Sequence, residues 1–204
     1  MRQDAYVSFD DPITTWFRRA VALTGTIAER TQSERVQQRA WHAAGARGSA
    51  ELRTERWAAS DVPATDHLRS IERPGPDADG VDGLLRDLQD FSPRLPWKPS
   101  DRLDDGGTDV ALVELTDCLD VPLPSAGIML LGPEAGYPEH RHPPEEVYLV
   151  LSGSRRWRFG GSDRYLRTDP GQVLSNSAND PHAVEAGPDA LVAVWFLVPG
   201  SVDA

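Results

Sequence analysis

The chain has 204 residues, with 21 basic against 32 acidic side chains and a net charge of -11. That length suits one medium domain with a real core, and the acidity argues against a nucleic-acid partner, whose phosphates call for clustered Lys and Arg. No run of eighteen apolar residues occurs, so no membrane span is expected. The charged start MRQDAYVSFDDP lacks the apolar stretch of a signal peptide, so a cytoplasmic protein is expected.

Asp11-Pro12 reads as a helix start, Asp as N-cap and Pro at the first helical position. Behind it Ile13, Trp16, Phe17, Ala20, Val21 and Ile27 fall close to helical spacing. A second helix is predicted over 33–44, with Val36, Ala40 and Trp41 inward and Gly45 as its stop. The stretch 49–59 is helix-compatible, with Leu52 and Trp57 inward, and 66–72 allows at most two turns. Trp16, Trp41 and Trp57 read as apolar anchors covering one side of a barrel or a seam of a homodimer. His42 and His67 read as surface or packing residues. After the loop RPGPDADG, the spacing of Val81, Leu84, Leu85, Leu88 and Phe91 predicts a further helix.

The segment SPRLPWKPSDRLDDGG is too rich in Pro, Gly and Asp for regular structure and marks a boundary, giving a helical extension over 1–94 and a β domain over 95–204. From there the texture becomes short apolar or alternating runs bounded by Gly and Pro: DVALVELT, GIMLLG, EVYLVLSG, RRWRFGG, RYLRT, QVLSN, HAVEA and ALVAVWFLV. Many short strands at near-regular spacing predict a sandwich or barrel. Cys118, the only cysteine, excludes an internal disulfide and a thiolate-rich metal site, and in VALVELTDCLDV it reads as a small core residue.

The chemistry concentrates in GYPEHRHPPEEVYLVLSG, residues 136–153. His140 and His142 are two apart, so on a strand both leave by one face. Pro143 and Pro144 interrupt pairing because neither has an amide proton. The alternation then resumes, with Glu146 and Tyr148 on one face and Val147 and Leu149 on the other. Two imidazoles and a carboxylate suit one divalent transition metal, Zn, Fe, Mn, Co or Ni, and a fourth ligand is expected from elsewhere. His182, in the β-rich run PGQVLSNSANDPHAVEA, is the natural candidate, although a His-x-His pair by itself also occurs on ordinary surfaces. Tyr148 should share the cavity with Glu146. A phenol is a poor base at neutral pH, but a nearby cation favours the phenolate, so Tyr148 could act as a general base or bind the metal. Tyr137 could reach the rim. Both rings could equally fill the barrel mouth.

The whole spacing, His-x-His, three residues, Glu, six residues, Gly, then a later His after a Pro-Gly turn, resembles the two motifs of the cupin superfamily. Glu134 and Asn179 hold two positions where that pattern often has glycine. The resemblance implies a cupin-type double-stranded β-helix barrel, or jelly roll, with the helical segment as an N-terminal extension. It also implies a metal held by His140, His142, Glu146 and His182.

YPEHRHPPEEVYLVLSG with Trp157, the upstream LPWKPSDRLDDGG, and the late PHAVEA and LVAVWF are similar to the cupin-type dimethylsulfoniopropionate lyases over Leu95 to Phe196. That resemblance implies metal-dependent β-elimination of dimethylsulfoniopropionate to dimethyl sulfide and acrylate. Tyr148 would remove the proton α to the carboxylate, and Tyr137 would assist or be the alternative base. A sulfonium is a cation without a hydrogen-bond donor, for which aromatic faces are a natural receptor. Trp195 and Trp157 are available for this, although Trp157 in RRWRF also reads as core. Two other readings compete: another cupin enzyme, an oxygenase or isomerase of a small organic acid, and a non-catalytic small-ligand-binding cupin.

Overall fold

A computed structural model describes residues 11–31, 33–45, 49–53, 57–102, 108–185 and 187–199. The charged N-terminal start, part of the 49–59 stretch, the end of the 92–107 loop and Ala186 of HAVEA lie outside the described residues.

Helix α1, Pro12–Ala28, starts as its sequence dictates: the Asp11 carboxylate accepts from the Ile13 amide at 2.8 Å and the Thr14 amide at 3.4 Å. These bonds satisfy amides that have no partner within the helix. Its stripe Ile13, Trp16, Phe17, Ala20 and Val21 is buried. Helices α2 (Glu34–Gly45), α3 (Thr65–Ser70) and α4 (Gly80–Phe91) follow, and the apolar stripe of α4 is the predicted one, with Leu84, Leu85, Leu88 and Phe91 buried.

Helix α2 departs from expectation in its phase. Arg39, Ala40 and Ala43 face inward, which turns Trp41 outward to 70% exposure. The 49–59 stretch is not helical where it is described: β1, Glu51–Leu52, pairs antiparallel with β4, Leu119–Asp120, so tertiary pairing overrides local propensity. In the Pro-rich boundary segment a 3-10 turn over Ser92–Arg94 and the short β2, Lys98–Pro99, are regular. Pro99 is tolerated because β2 is an edge strand.

The remaining strands are β3 (Val110–Glu114), β5 (Ser125–Leu131), β6 (Tyr137–His140), β7 (Glu145–Ser152), β8 (Arg155–Phe159), β9 (Tyr165–Thr168), β10 (Val173–Asn176), β11 (His182–Val184) and β12 (Leu191–Val198), all but β6 falling on the predicted runs. They form a six-stranded sheet, β10-β7-β12-β5-β3-β2, and a four-stranded sheet, β6-β11-β8-β9, all pairs antiparallel. This is the expected mainly β, cupin-type barrel with helices at its N-terminal end.

Strand alternation sends the two faces of the large sheet to different cores. Val147, Leu149, Leu151, Val192, Val194 and Phe196 pack outward under the helices, with Phe17 and Phe196 edge to face at 6.0 Å. Tyr148, Val150, Met129, Leu131 and Ala193 pack inward with Trp157, Val184 and Tyr137 of the small sheet. Cys118 is fully buried in the outer core, and burial pushes its thiol up to about 12, in keeping with a packing role. His42 is exposed, and His67 meets Asp109 at 3.0 Å. No helix among the described residues is long and apolar enough to cross a membrane.

Candidate metal centre

Two separate chain segments bring three imidazoles together. His140 ends β6, His142 lies in the loop before Pro143 rather than on the strand, and His182 opens β11. Antiparallel pairing sets His182 directly opposite His140, and their ring centroids are 4.0 Å apart. The rings of His142 and His182 are 5.1 Å apart, and one nitrogen from each of the three imidazoles falls within 4.8 Å of the others. Glu146, on the inner face of β7, puts Oε2 3.1 Å from His142 Nε2 and 3.2 Å from His182 Nε2.

The second nitrogen of each ring is engaged. Nδ1 of His140 lies 3.0 Å from the Pro138 carbonyl, that of His142 2.9 Å from the Pro144 carbonyl, and that of His182 3.0 Å from the Asp180 carbonyl. A carbonyl only accepts, so at His140 and His142 these contacts hold a proton on Nδ1 and turn Nε2 toward the cluster, while Nδ1 of His182 meets both the Asp180 carbonyl and the Asn176 amide group. This is the arrangement that orients histidines for a metal. Nε2 of His182 is buried and, despite its closeness to Glu146, makes no hydrogen bond among the described residues. That orphaned buried nitrogen, two further imidazoles within 4.8 Å and a carboxylate beside them form a mixed nitrogen and oxygen donor set that fits a divalent transition metal.

Proton affinities agree. Burial holds the His140 imidazole down to about 4, so it is neutral and able to ligate at pH 7. His142 is raised by its hydrogen bond to Glu146. Burial alone would push Glu146 up, but His142 and His182 outweigh it and hold the carboxylate down. Burial and the Glu146 charge raise Tyr148 well above the usual phenol range.

These groups open on a cavity of about 260 Å³ lined by Tyr137, Tyr148, Trp195, Met129, Arg102 and Glu114 together with His140, His142 and Glu146. Tyr148 points inward beside Glu146, its ring 6.5 Å from that of His182. The Tyr137 ring stands edge-on to His140 at 5.0 Å, and its hydroxyl accepts from Ser100 at 3.4 Å. Trp195, in register with Tyr148 on β12, is half-buried on the cavity wall and donates through Nε1 to Ser125 at 3.2 Å. Trp157 is fully buried behind Tyr148, their rings 4.7 Å apart, and does not line the cavity.

Sequence reading passed over two residues that shape this site. Asn176 faces inward across from Glu146 in the β10–β7 register, with its amide 2.6 Å from His182 Nδ1. The alternation of QVLSN, continued to its last residue, points to it. Gly127 lies beneath the Trp195 indole, and a glycine inside a strand pattern is the signal for such an approach.

Residues 119–193 match the family model of dimethylsulfoniopropionate lyase. In structure the chain is similar to the dimethylsulfoniopropionate lyase DddQ from Ruegeria pomeroyi DSS-3, with a TM-score of 0.69, 15% identity, and coverage of 96% of this chain and 94% of that one. At that identity the similarity is one of fold. It is also similar to a chain from the crystal structures of the dimethylsulfoniopropionate lyases RdDddP and RnDddQII, with a TM-score of 0.60, 26% identity, and coverage of 92% and 97%. No curated protein matches in sequence.

Proposed function

We propose that this chain, which matches the dimethylsulfoniopropionate lyase family model over residues 119–193 and resembles such lyases in fold, is a metal-dependent carbon-sulfur lyase cleaving dimethylsulfoniopropionate to dimethyl sulfide and acrylate. The observation that carries the reading is the convergence of His140, His142, His182 and Glu146 with Tyr148 beside them on a cavity sized for a small molecule.

In this reading His140, His142, His182 and Glu146 hold one divalent transition metal. Such an ion supplies Lewis acidity that acidifies the carbon next to the substrate carboxylate, and positive charge that offsets the burial of Tyr148. Tyr148 takes the proton α to the carboxylate. The electron pair of that C–H bond becomes the new C=C bond, the C–S bond breaks, and its pair leaves on dimethyl sulfide. Tyr137, which accepts from Ser100 and stands edge-on to His140, lines the same cavity and assists or is the alternative base. The Trp195 face receives the sulfonium. Trp157 supports Tyr148 from behind.

The test is direct. Protein loaded in turn with Zn, Fe, Mn, Co and Ni is incubated with dimethylsulfoniopropionate, and dimethyl sulfide is measured in the headspace. Gas and acrylate in equal amounts above a protein-free control are expected; no gas with any metal that demonstrably binds would remove the lyase reading.

A further inference from the structure

Strand alternation puts consecutive residues on opposite faces of a sheet, and at one corner of this barrel both faces carry polar groups. On the inner face are Glu146 of β7 and Asn176 of β10, which pair in register, with His182 against Asn176. On the outer face, one residue away from each, are Glu145, Ser175 and Ser177. All three are held by a single side chain from outside the barrel. Arg39 of α2, itself buried, donates through Nη2 to Glu145 at 2.9 Å and to Ser177 at 3.0 Å, and through Nη1 to Ser175 at 2.9 Å.

Each bond lands one step from Glu146 or from Asn176, which contacts His182. Glu145 precedes Glu146. Ser175 and Ser177 flank Asn176. Ser177 also begins the turn closed by the Asp180 amide on the Ser177 carbonyl at 3.1 Å. From that turn the Asn179 amide donates to the His142 carbonyl at 2.8 Å, and the Asp180 carbonyl lies 3.0 Å from His182 Nδ1. Asn179 reaches this position with a left-handed backbone, φ 61°.

We propose that Arg39 is a positioning residue of the metal centre, a guanidinium clamp by which helix α2 fixes β7 and the β10–β11 turn relative to one another, and with them Glu146, His142 and His182. The planar fork of arginine is the one cationic side chain that holds three acceptors in fixed directions. Helix α2 thereby contributes to metal binding although none of its residues touches the cluster. The proposal rests on the metal-site reading above, and its test separates the two.

The experiment titrates Co(II) into the full-length protein against a chromophoric chelator and records the cobalt absorption bands. It compares wild type, Arg39→Gln, Arg39→Lys, and the double variant Ser175→Ala/Ser177→Ala, which keeps the Arg39–Glu145 pair. Circular dichroism reports folding. Arg39→Gln should bind cobalt about 10–100-fold more weakly, with altered bands, as loss of an orienting partner does. Arg39→Lys should recover part of the affinity, and the serine double variant should lose less than Arg39→Gln. If folded Arg39→Gln keeps wild-type affinity and bands, the clamp is overturned while the metal site stands. If Arg39→Gln does not fold, the serine double variant decides, and unchanged affinity there overturns the clamp. Wild-type protein that binds no cobalt would instead remove the metal site itself.

Discussion

Trp195 lies across Gly127: a Cβ at position 127 would stand 2.1 Å from Trp195 Cζ2 and 2.3 Å from the Val113 carbonyl oxygen. The indole reaches the cavity wall because residue 127 has no side chain. Gly127→Ala must move both the ring and the neighbouring strand, and overpacking of this kind costs about 1–3 kcal/mol. Urea denaturation should show that loss. Gly127→Ala/Trp195→Leu should recover part of it, and only part, because the Val113 contact remains.

In the lyase reading the same ring binds the sulfonium. Trp195→Leu should then raise KM by about 2–30-fold, the equivalent of a cation over an aromatic face, with kcat changed less. A trimethylated ammonium analogue should lose inhibitory strength in parallel, whereas a neutral analogue of the same shape should not. Equal losses for the charged and neutral analogues would show that Trp195 acts by shape alone.

The two tyrosines make different contacts and predict different losses. Tyr148 sits beside Glu146 at the metal-binding groups, while Tyr137 bonds Ser100 and stacks edge-on against His140. Removing a general base typically costs about 10²–10⁴-fold, so Tyr148→Phe should lower kcat by that amount with metal content unchanged. Tyr137→Phe removes one hydrogen bond, worth about 2–10-fold. The reverse order in kcat would assign the base to Tyr137.

Metal removal should be visible without any substrate. A ligand at about 100 times its Kd stabilises by about 2.7 kcal/mol, or about 5–10 °C in Tm for a chain of this size. Chelator-stripped protein should therefore melt lower, recover with added metal in a concentration-dependent way, and lose that response in His182→Ala. An unchanged Tm on stripping and reloading would count against occupancy of the cluster.

Much of this was legible in the residues themselves. Asp11-Pro12 carries its own cap, the α4 stripe its own period, and the alternation from Glu146 to Leu151 already assigns Tyr148 to the cavity and Val147 to the helices. What was not legible depends on partners distant in sequence. Trp41 turns outward because Arg39, two residues before it, is drawn inward by Glu145, more than a hundred residues away. Residues 51–52 are a strand because 119–120 offer an edge. Glu134 and Asn179 both adopt φ 61°, the conformation that glycine would have signalled, so the cupin turns are kept with residues that hide them. Trp157 is fully buried in the inner core, packed against Tyr148, and does not line the cavity, so of the two readings open for it the core one holds.

His140 makes the metal-free protein acid-sensitive in a defined window. Its folded-state imidazole is held down to about 4 by burial, against about 6.5 in the unfolded chain. Above pH 6.5 the ring is neutral in both states. Between 6.5 and about 4 the unfolded chain takes up a proton at this position that the folded chain refuses, so stability must fall as pH falls, and below about 4 the loss is complete. His142 works in the opposite direction. Its imidazole is raised by Glu146, so its contribution is present at low pH and lost as pH rises through the folded value. Thermal melts of stripped protein between pH 7.5 and 4.5 should therefore show a flatter acid slope for His140→Gln and a steeper one for His142→Gln. Identical slopes for the two variants would show that residues 140 and 142 do not differ in proton affinity as their surroundings require.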